Sequence, residues 1–191
     1  MLLDLKTIVH KYDLNIRGVI HIGAHLGQEY PIYKELSIDN IAFIEPQKKI
    51  FNQLKETIPT SEKIKFYNTA LGNQTGTVKM YIDNYNKGSS SILQPKLHLT
   101  QHPDIKFESE ENVNIDKLDN IIDSRTYNFI NIDVQGFELE VLKGVKNCLK
   151  NIDYIMTEVN RDEVYKDCAK VEQLDHFLDN YGFIRVETSW E

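Results

Sequence analysis

Residues 18–27 read GVIHIGAHLG, a short apolar run that enters a turn with glycines at positions 23 and 27. The residues that follow, QEYPIYKEL at 28–36, have the apolar spacing of a helix. In open α/β sheets a glycine turn between a strand and a helix is a common place for a bound ligand. We therefore expect residues 18–22 to form a buried strand and the turn after it to hold a small molecule.

Strand-like and helix-like segments alternate along the rest of the chain. Apolar runs predict further strands at residues 40–44, 63–71, 76–82, 127–134, 152–160 and 183–188. Helical spacing predicts helices at residues 1–12, at 45–58 with Pro46 in the first turn, at 136–150 and at 171–182. This alternation predicts an α/β fold: one doubly wound, mostly parallel sheet with helices on both faces, forming a single domain over residues 1–191.

Residues 83–112 break the alternation, because they are polar and show little periodicity. They are expected to form a variable loop or insertion that shapes the acceptor site, since binding residues concentrate on such loops. His98 and His102 are spaced for one helix face, but Pro95 and Pro103 flank them and predict loop positions instead.

Composition excludes several classes of protein. Hydrophobic residues make up 41% of the 191 residues and charged residues 27%, as in a globular domain. The net charge is −7 with no basic stripe, which argues against nucleic-acid binding, and the apolar runs are too short for a membrane span. The N-terminus reads as an amphipathic helix rather than a secretory leader. Cys148 and Cys168 lack metal or redox spacing, which favours reduced thiols and a cytoplasmic location.

The glycine turn and an acid on the next predicted strand together indicate the kind of ligand. Glu45 follows Gly23 by 22 residues, close to the spacing of the acid that accepts hydrogen bonds from ribose hydroxyls. The turn lacks the middle glycine of G-x-G-x-x-G, which lets a backbone approach a pyrophosphate. A nucleoside cofactor without phosphates, such as S-adenosylmethionine, is favoured. A nicotinamide-dependent oxidoreductase on the same fold is the alternative.

Polar residues at the ends of two later strands could carry chemistry. Asp133 is a candidate general base for a hydroxyl acceptor, and capping of the following helix is its alternative role. His25, inside the glycine turn, is a second candidate because histidine is the usual general base near neutral pH, and a purely structural hydrogen bond is its alternative role. Glu158 and Asn160 could contact the acceptor or face solvent. We predict no metal site, because no third oxygen ligand accompanies Asp133 and Glu158 at a spacing typical of metal-binding motifs.

Six blocks of sequence resemble the FkbM family of methyltransferases and occur in that family's order. They are VIHIGAHLGQE, FIEPQ, NTALGNQTG, SSSIL, NIDVQGFELEVLKG and YIMTEVN, and they span residues 18–160. The resemblance implies a Rossmann-like class I methyltransferase fold and S-adenosyl-L-methionine as donor. It implies as acceptor a hydroxyl of a small molecule or glycan, with a sugar favoured. It gives neither the acceptor's identity nor the oligomeric state, and a non-catalytic relative that binds the donor is a further alternative.

The resemblance also assigns roles to residues. It implies that Gly23, Ala24 and Gly27 wrap the methionine part of the donor, and that Glu45 holds the ribose. Ala70 and Leu71 would lie by the adenine, Ser90 and Ser91 near the donor, and Asp133 closest to the methyl group. The expected catalytic residues are Asp133, His25 and Glu158; the expected cofactor-binding residues are His21, Gly23, Ala24, His25, Gly27, Glu29, Glu45, Pro46, Ala70, Leu71, Ser90, Ser91 and Asp133. His21 is a departure, because many members of the family have an aspartate at that position.

Overall fold

The computed structural model describes residues 3–85 and 88–190. Residues 1 and 2 of the predicted first helix and residues 86 and 87 of the predicted insertion lie outside the described part. The strands, in chain order, are β1 (Gly18–Ile22), β2 (Asn40–Ile44), β3 (Ile64–Tyr67), β4 (Ala70–Leu71), β5 (Gly76–Asp83), β6 (Phe107–Asp116), β7 (Phe129–Ile132) and β8 (Tyr154–Thr157). The α-helices are α1 (Leu5–Tyr12), α2 (Tyr30–Glu35), α3 (Lys48–Thr57), α4 (His98–Gln101), α5 (Leu118–Ile121), α6 (Glu138–Lys143) and α7 (Val171–Asp179).

The main sheet has five strands in the order β3-β2-β1-β7-β8, and every neighbouring pair is parallel. Its two faces bury separate apolar clusters. Val19 of β1 packs with the first three helices on one face, and Ile20 and Ile22 pack with α5, α6 and α7 on the other. The predicted α/β class with helices on both faces is confirmed. Because the strand order reverses between β1 and β7, a crevice opens at the carboxyl ends of these strands.

A second sheet, in the order β4-β6-β5, was not predicted. The predicted strand at 63–71 is in fact two strands, because Asn68 and Thr69 turn the chain out of the main sheet after β3. The Asn68 side-chain amide donates to the main-chain oxygens of Glu45 and Pro46, each 2.9 Å away, which fixes this turn against the end of β2.

The prediction that residues 83–112 are a loop was wrong for the last part of that range. Residues 107–112 belong to β6, which pairs antiparallel with β5. Residues 108–112 are exposed in succession, so the hydrophobic alternation that marks a half-buried strand is absent there. His98 is not a loop residue either, because it begins the single turn of α4.

Three other predicted boundaries also shift. The helix predicted at 136–150 is shorter in the structure, where α6 ends at Lys143. At Gly144 the chain passes very close to Gly72, because a Cβ on Gly144 would lie 1.9 Å from the Gly72 main-chain oxygen. Helix α3 begins at Lys48, so Pro46 precedes the helix instead of entering its first turn. Residues 183–188 form no strand, and Ile184 remains 79% exposed.

Two further features bear on the expected environment. Cys148 and Cys168 are both buried free thiols, as predicted. Within residues 3–85 and 88–190, no helix has the length and apolar character to cross a membrane.

Candidate functional site

The glycine turn lies in the crevice between β2 and β7. The main-chain N–H groups of Gly23 and Ala24 both donate to the Ile44 carbonyl at 3.0 Å, and Asp133 N–H donates to the Ile22 carbonyl at 3.0 Å. Gly23 has φ +79°, and a Cβ there would lie 1.8 Å from the Asp133 carbonyl oxygen. Only glycine fits this left-handed position so close to another backbone. The turn thus brings the ends of β1, β2 and β7 together.

Glu45, directly after β2, is held from two sides by main-chain donors. Its Oε2 accepts from His25 N–H at 3.0 Å and its Oε1 from Gln47 N–H at 2.8 Å. The side chain is 3% exposed, and this burial raises the pKa to about 7 although the two N–H donors oppose the rise. Each carboxylate oxygen can accept more than one hydrogen bond, so Glu45 retains acceptor capacity for ligand hydroxyls.

A cleft at this edge of the sheet gathers most of the predicted donor-binding residues. Those that line it are Gly23, His25, Glu45, Pro46, Ala70, Leu71, Ser90 and Asp133. The other lining residues are Ile22, Ile44, Gln47, Thr69, Met80, Gly88, Ile92, Val134, Gln135 and Phe137. Sequence reasoning missed Met80, Gly88 and Ile92, because they belong to the second sheet and to the segment interpreted as a loop. Met80 and Ile92, together with Ala70 and Leu71, give the cleft an apolar part.

The remaining predicted residues are not among those that line the cleft: His21, Ala24, Gly27, Glu29, Ser91 and Glu158. His21 is 2% exposed, and its ring packs against Phe43 and edge-on against Tyr33. Its Nδ1 is 3.2 Å from the Tyr33 hydroxyl and its Nε2 is 3.9 Å from Glu29 Oε2. Burial lowers the pKa of His21 to about 4, so the ring is neutral at physiological pH. His21 is thus a buried side chain that packs on Tyr33 and Phe43 and does not line the cleft.

The two predicted serines occupy different positions. Ser90 lines the cleft, and its hydroxyl donates to Asp83 Oδ2 at 3.1 Å. The Ser91 hydroxyl donates to the main-chain oxygen of Gln135 at 2.7 Å and accepts from Leu93 N–H at 3.0 Å. Ser91 therefore fastens the segment after β5 to the turn after β7.

Asp133 and Glu158, from the ends of β7 and β8, are bridged by one side chain. The Gln135 Nε2 donates to Asp133 Oδ1 at 2.8 Å and to Glu158 Oε2 at 2.9 Å. The pKa of Glu158 is raised well above its usual range, chiefly by burial and then by the charge of Asp133 and that of Glu138. The two expected catalytic carboxyls thus form one pair. Gln135 was missed as a site residue, although it lies inside the quoted NIDVQGFELEVLKG block.

Asp133 does not cap helix α6. The residue at the helix N-cap is Phe137, and no side chain caps it. The main-chain N–H of Gly136 is instead satisfied by Glu138 Oε1 at 3.0 Å. Asn160, for which exposure to solvent was one alternative, is 6% exposed and its backbone bridges to Lys170.

His25 lines the cleft beside Glu45, and its Nδ1 is 2.9 Å from Gln28 Nε2. Glu29, at the end of the turn, has its pKa raised by burial and by the nearby charge of Asp133. Among the residues that the structure describes, no three His, Cys, Asp or Glu side chains are grouped as metal ligands would be.

Comparison with known proteins agrees with this architecture. A family model described as methyltransferase FkbM domain matches residues 21–185. The 2-O-methyltransferase NoeI of Sinorhizobium fredii is 24% identical over 176 residues, which cover 87% of this chain and 72% of NoeI. The hexuronic acid methyltransferase AglP of Haloferax volcanii is 39% identical over 44 residues, 23% of this chain and 18% of AglP. No solved structure matches the chain significantly.

Proposed function

The chain belongs to the FkbM methyltransferase family, and from that premise we propose that it is an S-adenosyl-L-methionine-dependent O-methyltransferase acting on a hydroxyl of a sugar-type acceptor. One observation carries the proposal: a single cleft at the switch point of the sheet has Glu45 on one side and Asp133 on the other. Ligands of α/β sheets bind at this edge. The two carboxyls suit a hydroxyl-rich nucleoside and a hydroxyl acceptor.

The residues of the cleft fit the donor by their chemistry. Glu45 would accept hydrogen bonds from the two ribose hydroxyls, and its two main-chain donors already fix its orientation. Ala70 and Leu71, both nearly inaccessible to water, would contact the flat face of the adenine. The turn at Gly23 would lie along the methionine part, supported from behind by neutral His21 and by Glu29.

The pair at the end of β7 and β8 would handle the acceptor's proton. When bound, S-adenosylmethionine supplies a methyl group on a positively charged sulfur. An alcohol is too weak an acid to lose its proton unaided, so a base within hydrogen-bond reach is expected. Burial and then the charges of Asp133 and Glu138 raise the pKa of Glu158. Asp133 lines the cleft and would be the group that accepts the hydroxyl proton.

The relatives supply the reason for favouring a sugar. One is named as a 2-O-methyltransferase and the other as a hexuronic acid methyltransferase, and hexuronic acids are sugar acids with several hydroxyls. In this chain the segment from Gly88 to Ile92 borders the cleft next to Asp133 and Gln135, so we propose that it contributes to acceptor choice. The two free thiols support a reducing, cytoplasmic setting.

Two measurements test the proposal. Isothermal titration calorimetry with S-adenosylhomocysteine and, separately, with NAD compares the two cofactor classes. Mass spectrometry over a panel of monosaccharides, uronic acids and hydroxylated metabolites then detects a product in which one methyl replaces one hydrogen. Binding of NAD without binding of S-adenosylhomocysteine would overturn the proposal. Donor binding with no product from any acceptor class would favour a non-catalytic relative.

A further inference from the structure

Gln135 holds an unusual position in the turn after β7. Its backbone has φ +56°, in the left-handed region that side-chain-bearing residues rarely adopt. Strained residues of this kind persist where the surrounding contacts over-determine them, and they cluster at functional sites. The Gln135 side chain is correspondingly fixed at both ends of its amide.

The nitrogen end of the amide contacts both carboxyls of the pair, Asp133 and Glu158. The oxygen end, Oε1, lies 2.9 Å from the hydroxyl of Tyr165, a residue that is 1% exposed. Swapping the two ends would place an amide oxygen against two carboxyls. The hydrogen-bond network therefore determines the orientation of the amide.

The same network reaches the segment that borders the acceptor side of the cleft. The Tyr165 hydroxyl is also 2.9 Å from the main-chain oxygen of Ser89, so its single proton serves Ser89 and Gln135 as alternatives. The Ser91 hydroxyl donates to the main-chain oxygen of Gln135. Both the side chain and the backbone of Gln135 are thus tied to this segment.

We propose that Gln135 is a positioning residue: its amide holds Asp133 and Glu158 together as one hydrogen-bonded pair, and Tyr165 and Ser91 connect that pair to the acceptor-side segment, Gly88 to Ile92. The inference rests on the proposed function and adds to it a residue that reaches the reaction only through others. Two N–H donors from one neutral amide stabilise negative charge on the pair without adding charge of their own.

The proton balance of the step agrees with this role. As the acceptor oxygen forms its bond to the methyl carbon and the carbon–sulfur bond breaks, the hydroxyl proton passes to Asp133. That proton then passes from Asp133 to solvent. Gln135 neither gains nor loses a proton. The other titratable groups that act on this pair are Glu138, Glu29, His21 and Tyr165.

The test measures the ionisation of the two carboxyls directly, without an acceptor. Protein labelled with ¹³C at the side-chain carboxyls of Asp and Glu is saturated with S-adenosylhomocysteine and titrated by NMR. In Gln135→Met the carboxyl pair loses both donors, so the apparent midpoints of the pair's ionisation should rise by about one pH unit. Gln28→Met is the matched control, because Gln28 contacts His25 instead of a carboxyl, and it should leave the midpoint unchanged.

A merely structural Gln135 gives a different result. In that case Gln135→Met lowers the melting temperature while the apparent midpoints of the pair stay at their wild-type values, and the proposal is overturned. Should Gln135→Met not fold, Gln135→Glu has the same size and adds a third carboxyl, which should raise the pair's midpoints by about one unit or more. Unchanged midpoints in that variant also overturn it. Failure of the wild-type protein to bind S-adenosylhomocysteine would instead count against the proposed function.

Discussion

Substitution of Gly23 by alanine tests how closely the glycine turn packs against the end of β7. The new Cβ would lie 1.8 Å from the Asp133 carbonyl oxygen, whereas real Cβ contacts are essentially never below 3.0 Å. The two backbones must therefore separate by about 1.2 Å. The obstacle is main chain, so no side-chain rotation relieves it.

The cost has two parts that a second variant separates. An alanine in the left-handed region costs about 1–2 kcal/mol, and forcing atoms into a packed site costs about 1–3 kcal/mol more. Gly182 has nearly the same backbone angle, φ +81° against +79°, but a Cβ there meets nothing within 4 Å. Gly182→Ala therefore has only the cost of placing an alanine in the left-handed region. That cost is partly offset, because alanine lowers the conformational entropy of the unfolded chain.

We expect Gly23→Ala to lower the free energy of unfolding by about 3 kcal/mol and the melting temperature by about 6–12 °C, and Gly182→Ala to cost about 1 kcal/mol or less. Urea titration followed by circular dichroism gives both values. Because the displaced atom belongs to the backbone of Asp133, turnover of the folded variant should also fall by about 10²-fold. Equal stability of the two variants would show that the turn does not press on β7 as described.

Three more predictions concern single side chains. Glu45→Ala should weaken S-adenosylhomocysteine binding by about 1–3 kcal/mol. Because the pKa of Glu45 is about 7, the wild-type affinity measured by calorimetry should rise between about pH 6 and 8 as this carboxyl ionises. The affinity of the variant should not change with pH over this range. Asp133→Asn should leave S-adenosylhomocysteine affinity within about twofold, because that ligand lacks the sulfonium charge, and should slow methyl transfer by about 10²–10⁴-fold. A fully active variant would remove Asp133 from the mechanism. Because the folded pKa of His21, about 4, is below its ordinary 6.5, wild-type stability should fall as pH drops from 6.5 to 4. His21→Leu should lose most of that acid dependence in urea titrations, and an unchanged slope would place its cause in other groups.

The parts of the fold that the sequence predicts best are the strands buried on both faces. Strands β1 and β2 end where their apolar runs end, because residues 18–22 and 41–44 are all shielded from water and must all be apolar or paired. Residues 183–188 are also predicted as a strand from their apolar residues, but they form none. An apolar pattern becomes a strand only where a neighbouring strand pairs with it. Residues 108–112 of strand β6 show the converse, since pairing with β5 specifies this part of the strand although it has no buried face.

The residues of the candidate site also differ in how well the sequence predicts them. Gly23, Glu45 and Asp133 are predictable, because each lies at a strand end and the topology brings strand ends together. The Gln135–Tyr165 contact joins residues 30 positions apart across two loops, and no local spacing encodes it. Ser91 is expected near the donor, and its hydroxyl donates to the main-chain oxygen of Gln135, a contact that depends on how the second sheet places the segment after β5.

We propose that the charge of the cleft favours one of the two cofactor classes that the glycine turn left open. Glu45 and Asp133 line the cleft, and Gln135 joins Asp133 to Glu158. Burial is the largest cause of the raised pKa values of Glu158 and Glu29, and repulsion by the charge of Asp133 adds to each. A doubly negative pyrophosphate placed here would add to that repulsion, at the low effective dielectric where it costs most. A cationic, phosphate-free nucleoside would instead relieve it. The affinity for a cationic donor analogue should therefore fall with added salt, whereas NAD binding, if any occurs, should strengthen as salt screens the repulsion.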